Sequence, residues 1–83
     1  MKDIVWNKII LDEFIKLAIL TETEEKILRT RIAGWSRARQ AMEFNMSISA
    51  VDCLIKMINQ KYDMVQPYSD ILPKRKKKEI VSQ

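Results

Sequence analysis

The sequence predicts an all-α fold, a small bundle of about four helices followed by a basic C-terminal tail. Three observations point there. Apolar residues recur at helical spacing along successive stretches of the chain. One glycine and two prolines leave little material for tight hairpins. Val, Ile and Thr nowhere alternate with polar residues over a long run, as a half-buried strand would require. With 47% apolar and 31% charged residues, the 83-residue chain falls in the globular range and amounts to one domain. That domain is read as residues 1–73, and residues 74–83 as a basic tail expected to stay disordered without a partner.

The elements follow in order. Residues 3–18 read as a helix whose wide apolar face includes Trp6, Ile10, Phe14 and Leu17. Val5 and Ile9 fall on its other side, among Lys8, Asp12 and Lys16. A second helix opens at Thr21, which forms a capping box with Glu24 three residues on. Its inward face is Ile27, Leu28 and Ile32, and Gly34 ends it as a left-handed residue. Ser36 caps a short third helix at 37–44, with Ala41 and Phe44 inward. Asn45 suits a left-handed turn. Ser47 caps a fourth helix at 48–62, with the stripe Val51, Leu54, Ile55, Ile58 and Tyr62. Residues 66–70 read as a turn, and Ile71-Leu72-Pro73 as a segment that docks on the core. Trp6 and Trp35 are both read as core.

Charge is uneven along the chain. Residues 1–28 balance at −2, residues 29–61 at +4 and residues 62–83 at +2. The positive excess begins at Arg29, just ahead of the third helix, which points to a polyanionic partner. Two helices meeting at a sharp angle need a small residue at the crossing, a turn-tolerant residue four positions on, an apolar plug and then a cap. Ala41, Asn45, Met46 and Ser47 fill these places in turn, and Val51 and Leu54 seat the second helix on the first. This is a helix-turn-helix at 37–62, and it frees the outer face of helix 48–62 to enter a major groove.

Here the chain resembles the LuxR/GerE-type helix-turn-helix family, related in shape to region 4 of bacterial sigma factors. The likeness runs without a gap from Leu20 to about Tyr62. It rests on Leu20-Thr21, Glu24, Ile27-Leu28, Gly34, Ser36, Ala41, Phe44, Met46-Ser47, Val51, Ile55, Ile58 and Lys61. The overall pattern is also similar to small helix-turn-helix proteins of Gram-positive bacteria and their prophages. Three positions depart from the family pattern: Gln40 stands where an apolar residue is usual, Asp52 where Lys is common, and Leu54 where His is frequent. The resemblance implies a transcriptional regulator that binds double-stranded DNA with sequence specificity. It also implies base-reading positions at Asp52, Cys53 and Lys56, and geometry agrees because all three lie off the apolar stripe. Lys56 can donate to guanine O6/N7, and Asp52 can accept from cytosine N4. Ser47, Ser49, Arg37, Arg39 and Lys61 suit phosphates, which fix register without reading sequence. The alternative is a sigma region 4-like module that binds RNA polymerase or another protein, and a homodimer is the expected assembly on DNA.

Other functions find little material. There is no histidine, so the commonest acid–base group is missing, and a lone cysteine offers no transition-metal site. One glycine cannot build a phosphate-cradling loop. No enzymatic activity, metal or cofactor is expected. A single cysteine, the lack of a long apolar N-terminal run, and no stretch of about 20 apolar residues favour a cytoplasmic protein that does not enter a membrane.

Overall fold

The structure, a computed structural model, describes residues 4–74. Apart from Lys74, the basic tail lies outside the described residues. Four α-helices make up most of the described chain: α1 (Lys8–Ala18), α2 (Glu22–Ile32), α3 (Arg37–Glu43) and α4 (Ile48–Val65). A single 3₁₀ turn follows at Gln66–Tyr68. No strand occurs among the described residues, so the all-α bundle expected from the sequence is the fold observed. No described helix is long and apolar enough to cross a membrane.

The first helix starts later than expected. Asn7 is extended, and its side chain accepts from the Ile10 amide at 2.9 Å, so α1 begins at Lys8. Residues Ile4 to Trp6 lie ahead of it and alternate as non-helical chain does. Ile4 is buried, Val5 is 87% exposed and Trp6 is packed against Phe14 and Tyr62 with ring centroids 5.9 Å away in each case. Val5 therefore does not share a helix face with Ile9.

The α1 helix ends on Ile19 at φ 51°, a left-handed conformation that β-branched residues rarely adopt. Ile19 is 81% exposed, so nothing in the core requires its side chain. Ile19→Gly relieves about 1–2 kcal/mol of left-handed strain and returns part of it as unfolded-state entropy. A net gain of about 0.5–1 kcal/mol in urea unfolding is the expected result, and a loss would show that Ile19 makes contacts of its own.

Local chemistry accounts for the other boundaries. Thr21 and Glu24 form the full capping box, each side chain accepting from the other's amide. Two left-handed residues then close two helices in the same way. After α2, Gly34 at φ 96° lets the Trp35 amide reach the Thr30 carbonyl at 3.0 Å. After α3, Asn45 at φ 54° lets the Met46 amide reach the Ala41 carbonyl at 3.0 Å. Both are Schellman endings, and the second makes the bend between α3 and α4. Ser36 and Ser47 cap the helices that follow.

The core is organised around α4, which packs against the other three helices and the 3₁₀ turn. Phe14, Ile27, Leu28, Val51, Ile58 and Tyr62 are fully buried. Leu54 and Ile55 are half-buried flanks of the same stripe. Ile32, expected inward, is exposed at the last residue of α2. Trp35 is also not core. It stacks on Phe44 at 6.0 Å outside the buried cluster, with Arg39 above it. At the C-terminal end Leu72 is buried, held by Gln66 Nε2 donating to its carbonyl at 3.0 Å and by Tyr62 Oη donating to the Pro73 carbonyl. Ile71 stays exposed, so only part of the 71–73 segment docks.

Candidate nucleic-acid interface

The α3–turn–α4 unit is braced from behind by α2. Gln40, at the position where the resembling family carries an apolar residue, is fully buried. Its Nε2 donates to the Ile27 carbonyl at 2.9 Å and to Thr30 Oγ1 at 2.8 Å, both on α2. A buried amide with these partners ties α3 to one placement on α2. Ala41 beside it is buried where the helices cross.

On α4 the buried stripe leaves the opposite side open. Ser49, Asp52, Cys53 and Lys56 follow one another at i, i+3, i+4 and i+7, which puts them on one face. Ser49, Cys53 and Lys56 are exposed, and Asp52 is partly so. Lys56 forms no ion pair among the described residues. Ser47 sits at the start of this face, with its hydroxyl accepting from the Ala50 amide at 3.0 Å as the helix cap.

The cations nearby are arranged in ways the sequence did not reveal. Arg37, in the first turn of α3, reaches across to α4, and its Nη1 lies 2.7 Å from Asp52 Oδ1. A residue read as phosphate-binding and one read as base-reading are therefore one ion pair. Arg39 lies about 200° round α3 from Arg37 at the helical repeat. Its guanidinium sits 3.9 Å above the Trp35 ring, in the stack that continues to Phe44. Arg39 is exposed but is not on the α4 face.

Lys61 is placed elsewhere and leaves the phosphate set. It projects toward α2, where its Nζ lies 2.6 Å from Glu24 Oε1, a carboxylate that is almost fully buried. Burial pushes the Glu24 carboxyl up. The Lys61 hydrogen bond and charge, with the Thr21 amide and hydroxyl, outweigh that effect and hold its pKa below the ordinary glutamate value. Glu24 thus caps α2 and anchors α4 at once.

The sequence reading missed Gln40's buried bonds, the Arg37–Asp52 pair and the Glu24–Lys61 pair. A polar residue inside an apolar pattern was the available signal for the first. The two pairs join residues 15 and 37 positions apart and left no local trace. Among the described residues no group of three or more His, Cys, Asp or Glu side chains gathers as a metal site would need. No protein-family model matches the chain, and no curated protein or solved structure is significantly similar to it.

Proposed function

We propose that the protein binds double-stranded DNA with sequence specificity as a transcriptional regulator, with α4 as its recognition helix in the major groove. The observation that carries this reading is the outer face of α4. A helix held by the core on one side presents Ser49, Asp52, Cys53 and a Lys56 with no ion-pair partner among the described residues on the other, directly after a helix-turn-helix bend. The positive balance of residues 29–61 supports it. So does the resemblance of 20–62 to LuxR/GerE-type domains. The proposed setting is the bacterial cytoplasm, for a protein encoded by a bacterium or a phage, and the proposed role involves no catalysis and no cofactor.

A base-reading residue and a phosphate-binding residue fail differently when removed. Lys56→Ala should cost about 1–3 kcal/mol on a duplex selected from a random pool, and much less on a shuffled one. Arg39→Ala, at a guanidinium stacked on Trp35 away from the α4 face, should leave the ratio of the two affinities unchanged, because any phosphate contact it makes carries no sequence. Paired titrations at one salt concentration measure this. An affinity ratio that Lys56→Ala leaves unchanged would remove the α4 face from base reading.

A second reading is a sigma region 4-like module that binds protein, RNA polymerase among the candidates. It is favoured by Val5 and Ile9, which are 87% and 67% exposed at the start of the chain. Although the two do not form one helix face, exposed apolar surface at either would also suit a homodimer on a palindromic site, which doubles the few base pairs one helix can read. A protein-binding module would show little affinity for duplex DNA and no steep salt dependence.

A further inference from the structure

Arg37 and Asp52 come from different helices and meet on the face of α4 that the proposed function turns toward DNA. The pair is direct, with 2.7 Å between Nη1 and Oδ1, and both side chains remain about half exposed at 54% and 44%. An exposed ion pair of this kind adds little to stability. Its effect on the surface chemistry is larger. The pair has no net charge, so it is a poor phosphate clamp. The carboxylate takes one Nη1 hydrogen and leaves Nε and Nη2 with no partner among the described residues. A guanidinium presents five N–H groups in a rigid fork, and that fork matches the O6 and N7 atoms of guanine. The fork is held to α4 through Asp52, which lies within one helical turn of both Ser49 and Lys56 on the open face.

We propose that Asp52 is a positioning residue for Arg37, and that the two act as one unit in which Arg37 reads a base edge, a guanine by the chemistry of its donors. This rests on the DNA-binding reading of the α4 face. It reassigns both residues. Arg37 becomes a specificity determinant, and Asp52 acts through it, with its second oxygen left to accept from a neighbouring amino group.

The test uses the full chain, a duplex selected from a random pool and a shuffled duplex of equal length. The quantity read is the ratio of the two affinities, for the wild type, Arg37→Ala, Asp52→Ala, the double variant and Arg37→Lys. Arg37→Ala should lower the ratio on the order of tenfold, the loss of one bidentate base contact. Asp52→Ala should lower it several-fold while binding to the shuffled duplex stays level or tightens, because a negative charge has gone. The double variant should be no worse than Arg37→Ala, since a unit already broken is not broken twice. Arg37→Lys keeps the charge without the fork and should lose as much as Arg37→Ala. Because the pair is neutral, the double variant should keep the wild-type salt slope. Losses that multiply in the double variant, or an Arg37→Ala variant that weakens both duplexes equally, overturn the proposal. If Lys56→Ala lowers the ratio while the Arg37 and Asp52 variants do not, the α4 reading stands and only the pair falls. If no duplex is enriched from the pool, both fall together.

Discussion

Phe14→Ala should cost about 3–5 kcal/mol of folding stability. Phe14 is fully buried on α1, with its ring 5.1 Å from Tyr62 and 5.9 Å from Trp6. It is the residue through which α1 joins the side of α4. Truncation removes the apolar transfer energy, opens a cavity in the core and breaks an edge-on ring contact with Tyr62 and a tilted one with Trp6. A chain of 83 residues has about 4–12 kcal/mol of total stability to lose. The variant should therefore unfold at much lower urea concentration, followed by circular dichroism. Phe14→Leu, which keeps most of the volume, should lose far less. Equal losses for the two substitutions would mean that the ring and its volume are not what holds α1.

Lys61→Met should cost about 3 kcal/mol at neutral pH, near the lower end for breaking a buried pair because the lysine is one-third exposed. Methionine keeps the apolar stem and removes the ammonium, so Glu24 keeps its burial without its main cation. The sign with pH follows from the depressed carboxyl of Glu24. In the wild type its contribution is fully present above the pKa of an unfolded glutamate and is lost as pH falls through the lower folded value. Removing the ammonium raises the folded value, so the deficit of the variant should be greatest at neutral pH and shrink in acid. Glu24→Gln combined with Lys61→Met should recover much of the loss, since the amide keeps an oxygen for the Thr21 cap and no charge is stranded. Urea unfolding at neutral and acid pH measures both effects. A deficit that grew in acid would contradict the assignment.

The fold was legible because its boundaries are written locally. Thr21 with Glu24, Ser36, Ser47, Gly34 and Asn45 each act within a few residues of themselves, and all behave as their types predict. The start of α1 was misplaced because Ile4, Val5 and Trp6 can be laid on a helical wheel, although they alternate as extended chain. Asn7, a cap residue by type, was the signal that settled it. The outer face of α4 was equally legible, since a buried stripe defines its own opposite. The partners of its charges were not. Arg37, Asp52, Lys61 and Glu24 find one another only once the helices are packed, and a lysine bound for a buried carboxylate looks in sequence like any other lysine.

Because α4 is both the axle of the core and the helix with the open face, the two sides of it cannot be loosened separately. Val51 and Ile58 are fully buried on one side while Asp52 and Lys56 stand one turn apart on the other. A ligand seated on the open side would hold the whole bundle, raising its melting temperature in proportion to the logarithm of ligand concentration. The converse follows from the same linkage. Damage far from the open face, at Phe14 or Leu72, would leave every surface contact intact and still reduce occupancy, through the fraction of molecules folded at any moment.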